Sequence, residues 1–146
     1  MHKSDDLVFR ETYDYEAMRR LALASGLEEG SFDGYVASFG FYRGSELVAC
    51  AALRIRGEQY TVECLVVEHE LRGRGIGTTL VRRVEEEART RGGKKLWAVA
   101  RVPEFFEKMG FIRRSGDDPG GPSIEDCKNC RQYLRMCQPG IFMKEL

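Results

Sequence analysis

The chain has no excess of charge of either sign and no long hydrophobic run. Its 146 residues include 23 Lys+Arg and 23 Asp+Glu, so the formal net charge is +0. Proteins that bind nucleic acids or membrane surfaces usually carry a basic excess, and this balance disfavours both partners. No apolar run reaches the ~20 residues of a membrane span, and the charged start MHKSDDLVFRE lacks the apolar core of a signal peptide. These absences predict a single soluble, cytoplasmic domain over residues 1–146.

Cysteines are few, and their number is odd. The chain has five, at Cys50, Cys64, Cys127, Cys130 and Cys137, which argues against a disulfide framework in a cytoplasmic protein. The spacing of the last three would let their thiolates bind one tetrahedral zinc ion, although no fourth ligand is evident. The same three side chains could instead pack as small apolar groups or form a reversible thiol pair. The sequence leaves these three interpretations of the tail open.

The first half of the chain is dominated by strand-like patterns. Alternation and β-branched residues predict strands at Leu7–Glu11, Tyr35–Tyr42, Leu47–Ile55 and Gln59–Val67. Apolar residues at helical spacing predict a helix over Tyr15–Ser25, between the first two strands. The short connections between the later strands favour antiparallel hairpins.

The second half alternates between helix and strand. The predicted elements are a long helix from near Gly75 to Gly92, the strand Lys95–Ala100, a short helix starting at Pro103, a strand starting at Phe111 and a last strand in GIFMKEL. The strand–helix–strand unit from Gln59 to Ala100 is expected to be parallel and right-handed. Together the two halves predict an α+β domain with a mixed sheet.

The stretch LRGRGIGTTLV, from Leu71 to Val81, places three glycines between a strand and a helix. The first amides of a helix lack intrahelical partners, and glycines let an anion approach them closely, so this stretch is a candidate diphosphate cradle. Its spacing, Gly73-x-Gly75-x-Gly77 without a following lysine, fits neither a P-loop nor a dinucleotide fingerprint. The alternative is a tight turn with solvated arginines.

LVVEHELRGRGIGTTLVRRVEEEA resembles the acetyl-CoA signature of the GNAT superfamily of N-acetyltransferases. The likeness continues in EFFEKMGF, which looks like the short helix that follows in this family, and in the upstream hairpin Tyr35–Ile55. The order of elements fits from Leu7 to Ile112. The resemblance implies the GNAT acyl-CoA N-acyltransferase fold, in which helices flank a mostly antiparallel sheet with a splayed central parallel pair.

The resemblance also implies acetyl-CoA as cosubstrate. The pantetheine arm would lie along the backbone of Leu65, Val66 and Val67, with one amide near Val66 polarising the thioester carbonyl. The pyrophosphate would rest on the amides of the cradle residues Arg72, Gly73, Arg74, Gly75, Ile76, Gly77 and Thr78. The implied reaction is direct attack by a primary amine of a small molecule, catalysed by a monomer or homodimer.

The same resemblance implies one catalytic side chain and shows a departure at a second. Glu63 matches a position where several members of the family carry a catalytic glutamate or histidine, and strand alternation would put it on the same face as Leu65 and Val67. The alternative for Glu63 is a solvent-facing side chain. Many members carry a tyrosine general acid where this chain has Phe106. Tyr133 is the candidate substitute, and the alternative is that the thiolate leaves through solvent.

The acceptor amine is less well defined by the sequence. The double phenylalanine and the short opening segment LALASGL resemble the acetyltransferase domains of N-acetylglutamate synthases, which suggests an amino-acid acceptor. Because the usual tyrosine is missing, a CoA-binding sensor or interaction module that has lost turnover is an alternative. A thiol- or metal-sensing protein, with the cysteine tail as its active element, is another.

Overall fold

One sheet of seven strands, with helices on both faces, makes up the part of the chain that the computed structural model describes, residues 6–27, 32–100, 103–114 and 140–146. The elements are β1 Leu7–Glu11, α1 Tyr15–Ala24, β2 Tyr35–Arg43, β3 Glu46–Arg56, β4 Gln59–Val67, a 3₁₀ turn at His69–Leu71, α2 Ile76–Thr90, β5 Lys95–Ala100, α3 Pro103–Lys108, β6 Ile112–Arg114 and β7 Gly140–Glu145.

The strand order in the sheet is β1-β2-β3-β4-β5-β7-β6. Strands β1 to β4 form an antiparallel meander, β4 and β5 are parallel, and β7 lies antiparallel between β5 and β6. The predicted α+β class is therefore confirmed, with a mostly antiparallel sheet and one central parallel pair. The last strand, predicted from GIFMKEL, pairs directly with β5.

Most element boundaries agree with the sequence prediction. The strands β1, β4 and β5 have the predicted limits. The β2–β3 hairpin is longer than predicted because its turn needs only Gly44 and Ser45, so Arg43 and Glu46 extend the ladder. Helix α1 begins after Asp14, whose Oδ1 accepts a hydrogen bond from the Ala17 amide at 3.1 Å.

The two faces of the sheet are covered by different helices. Met18 and Ala22 of α1 pack on one face, which we call the α1 face, together with Cys50 and Cys64. The opposite α2 face buries residues at helical spacing, namely Leu80, Val81, Val84 and Ala88. Because both faces are covered, every residue of β3 from Leu47 to Leu53 is buried.

An ion pair joins α2 to the last strand. Lys144 Nζ of β7 lies 3.0 Å from Oε2 of Glu85, whose side chain is only 5% exposed. Replacing Lys144 with methionine should lower the free energy of unfolding by about 2 kcal/mol, because a buried carboxylate loses its strongest partner. Urea unfolding followed by circular dichroism measures this loss.

The matched control for this prediction is Arg89, which lies on the exposed side of the same carboxylate. Its Nη2 is 3.8 Å from Glu85 Oε1, and its side chain is 50% exposed. Arg89→Met should therefore cost less than about 0.5 kcal/mol. Equal losses in the two variants would mean that the Lys144 pair is no stronger than a surface contact.

Candidate functional site

The cradle stretch lies where β4 ends and α2 begins, as the sequence predicted. Gly73 and Gly75 both have left-handed backbones, with φ of +80° and +81°, a conformation that residues with a Cβ rarely adopt. Gly75 is the N-cap of α2 and has no side chain to cap the helix. The first-turn amides of Ile76, Gly77 and Thr78 therefore remain available to an external acceptor.

The charge around these amides favours an anion. The first turn of α2 contains no acidic residue, so no side chain of that turn offsets the positive end of the helix dipole. Arg72 and Arg74 lie exposed beside it. The Nε of Arg72 donates to the carbonyl oxygen of Val67 at 3.1 Å, which keeps this guanidinium at the end of β4.

Gly77 has a different role from the other two glycines. A Cβ built at Gly77 would lie 3.4 Å from Cε1 of Phe105, whereas a Cβ at Gly73 or Gly75 would meet nothing within 4 Å. A Cβ at Gly77 would make an ordinary van der Waals contact with this ring, so Gly77 marks the place where α3 meets the start of α2. The two preceding glycines leave the cradle open to solvent.

The parallel strands β4 and β5 separate next to the cradle. They pair only at Thr61–Trp97 and Val62–Ala98, although β4 continues to Val67 and β5 to Ala100. Over its carboxyl half, β4 pairs only with β3 among the described strands. The splayed parallel pair is therefore present, and its open gap leads directly into the cradle.

A β-bulge alters the alternation of β4 at the start of this gap. Ala52 pairs with Glu63 and Cys50 with Val66, so β4 contains one extra residue. Cys64 lies in the bulge with φ of +53°, the one positive value outside glycine among the described residues. The prediction that Glu63 shares a face with Leu65 and Val67 is wrong, because the bulge turns Glu63 toward the α1 face.

The Glu63 carboxylate is enclosed by two arginines of β3. Oε1 accepts hydrogen bonds from Arg56 Nη2 at 2.9 Å and from Arg54 Nη1 at 3.2 Å, and Oε2 accepts one from Arg56 Nε. The side chains of Glu63, Arg54 and Arg56 are 9%, 11% and 6% exposed. Glu63 is therefore a buried, ion-paired carboxylate and not the solvent-facing side chain of the alternative interpretation.

Sequence reasoning did not identify the two arginines. A signal was present in the β3–β4 hairpin, whose short turn pairs Arg56 with Gln59 and Arg54 with Thr61. This register puts Arg54 diagonally across from Glu63 on one face. Counting outward from the turn would have found the contact.

The Acetyltransferase (GNAT) family model matches residues 2–111 of the chain. The chain belongs to this family.

A curated relative supports the assignment over part of the sequence. The chain is 39% identical to glucosamine 6-phosphate N-acetyltransferase 1 of Oryza sativa subsp. japonica over 75 residues, which are 49% of the chain and 45% of the relative. The chain thus corresponds to less than half of that relative's length.

Solved structures show the same fold at low identity. N-acetylglutamate synthase from Neisseria gonorrhoeae, in complex with coenzyme A and N-acetyl-glutamate, superposes with a TM-score of 0.74 and 22% identity, over 96% of this chain and 35% of that one. A GNAT-family acetyltransferase from Staphylococcus aureus Mu50 gives a TM-score of 0.72 and 11% identity, over 96% and 99% of the two chains.

In helix α3, Phe106 occupies the position at which many members of the family carry a tyrosine. Phe106 is 7% exposed and packs in the core, with its ring centroid 5.1 Å from that of Phe111. Its ring has no polar atom and cannot donate a proton. The neighbouring Phe105 is the ring that lies nearest to the position of a Cβ at Gly77.

The tail predictions fall outside the described residues. This applies to Tyr133, the candidate general acid, and to Cys127, Cys130 and Cys137, the candidate zinc ligands. Within the described ranges, no group of three His, Cys, Asp or Glu side chains could hold a metal ion.

None of the described helices is long and apolar enough to cross a membrane.

Proposed function

We propose that this GNAT domain transfers the acetyl group of acetyl-CoA to a primary amine of a small molecule. The observation that carries the proposal is the separation of β4 from β5 after Val62, which opens directly into the uncapped start of α2. A linear cofactor with an amide-containing arm and a diphosphate matches these two adjoining features.

In this proposal the diphosphate binds the backbone amides from Arg72 to Thr78, and the pantetheine arm lies along Leu65, Val66 and Val67. The CoA complex of the N-acetylglutamate synthase neighbour supports the cofactor class for this fold. The amide near Val66 donates to the thioester oxygen and stabilises the negative charge that develops there. The bulge at Cys64 sets the orientation of that part of the strand.

The proposed chemistry is one addition followed by one elimination. The amine nitrogen adds to the thioester carbon, and the C–S bond breaks to release CoA as its thiolate. An ammonium has no free electron pair, so the amine must first lose a proton, and Glu63 accepts it through a water molecule. Tyr133 is the proposed donor to the thiolate, since Phe106 lacks a proton to give.

An amino acid is the first acceptor to test. The short opening segment and the double phenylalanine support it, and so does the fold match to an N-acetylglutamate synthase. The 39% identical relative is named for an amino sugar phosphate, which makes glucosamine 6-phosphate the natural comparison. Both acceptors are small primary amines that also carry an anionic group.

Release of the free CoA thiol, measured with a chromogenic disulfide, tests the proposal. Purified protein is incubated with acetyl-CoA and each of the twenty amino acids, glucosamine 6-phosphate or a polyamine, and the acetylated product is identified by mass spectrometry. We expect amine-dependent thiol release with at least one amino acid. Tight acetyl-CoA binding without release for any amine would favour the sensor alternative, which the buried ring of Phe106 supports.

A further inference from the structure

The side chain of Glu63 has little freedom to move. It accepts three hydrogen bonds from two guanidinium groups, two of them from the planar fork of Arg56. A bidentate guanidinium–carboxylate contact fixes direction as well as distance. The carboxylate plane is therefore set by β3 and not by β4 alone.

The number of hydrogen bonds defines what else this carboxylate can bind. A carboxylate offers about four lone-pair sites, and Oε1 uses two while Oε2 uses one in the contacts of the described residues. One site, on Oε2, is left. It can accept a single N–H or O–H donor, which matches one amine or one bridging water molecule.

The location of the carboxylate matters as much as its orientation. Glu63 is the first residue of β4 beyond the last pair with β5, Val62–Ala98. The two arginines come from the neighbouring strand on the side away from the gap. The contacts between these arginines and Glu63 therefore do not cross the gap, which begins at this residue.

We propose that Arg54 and Arg56 are positioning residues for Glu63, which hold its carboxylate so that one lone pair of Oε2 meets the acceptor amine or its bridging water. This inference rests on the proposed function. Arg56 carries most of the effect, because it supplies both bonds of the fork. Arg54 supplies one bond and packs over the ring of Tyr35, with Cζ 5.6 Å from the centroid.

A double-mutant cycle tests whether Arg56 acts through Glu63. Arg56→Lys keeps the charge but loses the fork, and should lower kcat ~10-fold with the KM for acetyl-CoA unchanged. Arg54→Lys should cost only ~2–3-fold, because it removes one hydrogen bond of three. In a Glu63→Gln background, Arg56→Lys should change kcat by less than ~2-fold, since nothing remains to be positioned.

Arg83→Lys is the matched control, because Arg83 also pairs with a carboxylate, Glu87 at 3.1 Å, but lies on α2. It should leave kcat unchanged in both backgrounds. If the loss of kcat in the double variant equals the product of the losses in Arg56→Lys and Glu63→Gln, the two residues act independently and the inference is overturned. A fully active Arg56→Lys variant would overturn it as well. Melting temperatures of all variants separate a general loss of folding from a loss of positioning.

A crystal structure of the Arg56→Lys variant gives a readout independent of turnover. We expect the Glu63 carboxylate to leave the orientation that the fork imposes. If the wild-type protein acetylates no amine, the proposed function fails, while the crystal structure still tests the positioning. An unmoved carboxylate in that variant would refute the role of Arg56.

Discussion

Replacing Gly75 with glutamate should raise the dissociation constant of acetyl-CoA ~10²-fold or more, because it places a carboxylate at the uncapped start of α2. Gly75 is the N-cap, and the space around it is open, so the new side chain can lie across the amides that would bind the diphosphate. The carboxylate would both occupy these amides, as an N-capping side chain does, and repel the phosphates. Isothermal titration calorimetry with acetyl-CoA measures the change.

Gly57 provides the matched control for this substitution. It lies in the turn between β3 and β4, has φ of +63° and has open space around it, as Gly75 does. Gly57→Glu carries the same charge and a similar backbone cost of about 1 kcal/mol, but lies far along the sheet from the cradle. We expect similar melting temperatures for the two variants and loss of affinity for Gly75→Glu alone. Unchanged affinity in a folded Gly75→Glu variant would show that the cofactor binds elsewhere.

The sequence predicted the fold well because the spacing of its apolar residues changes near the middle of the chain, from the alternation of strands to the spacing of a helix. The strands Leu7–Glu11, Gln59–Val67 and Lys95–Ala100 have the predicted limits, and the helix after Gly75 follows from its apolar spacing and the Gly92 end signal. Helix α2 and the strands β4 and β5 each bury several residues in the core, so burial determines the pattern that the sequence displays there, whereas β1 is largely exposed. The cradle was predictable for a related reason, since its left-handed positions require glycine.

The direction of Glu63 could not be predicted from the same rules. A bulge adds one residue to a strand and reverses the alternation beyond it. Bulges with a left-handed residue usually contain glycine, but here the position is occupied by Cys64, so the sequence carries no mark of it. The bulge is recognised only from the register of the pairs between β3 and β4, and that register exists only in the folded sheet.

The bulge also explains why the two halves of β4 have different surroundings. Before it, Val62 packs on the α2 face; after it, Leu65 and Val67 return to that face, while Glu63 and Cys64 both lie on the α1 face. The strand can therefore present a buried carboxylate on one side of the sheet and keep an apolar contact with α2 on the other. A regular strand would have put Glu63 in line with Leu65 and Val67.

Glu63→Gln should lower kcat ~10²-fold while leaving acetyl-CoA affinity close to that of the wild-type protein. The amide keeps the shape of the side chain and can still accept from Arg56, but it cannot take a proton from the amine. Steady-state rates with the best acceptor from the amine panel measure kcat, and isothermal titration calorimetry measures the affinity for acetyl-CoA.

Two further variants separate basicity from folding. Glu63→Asp keeps the charge between Arg54 and Arg56 but withdraws the carboxylate by one methylene, so it should fold normally and lose ~10-fold in kcat. Glu58→Gln, at the exposed β3–β4 turn, removes an equal charge from the same hairpin and should have no effect.

In Glu63→Gln, the amide leaves two buried guanidinium groups facing a neutral partner, so this variant should also have a lower melting temperature. Rates must therefore be compared well below that temperature. A Glu63→Gln variant with the wild-type kcat would place the base elsewhere and leave Glu63 as a structural ion pair.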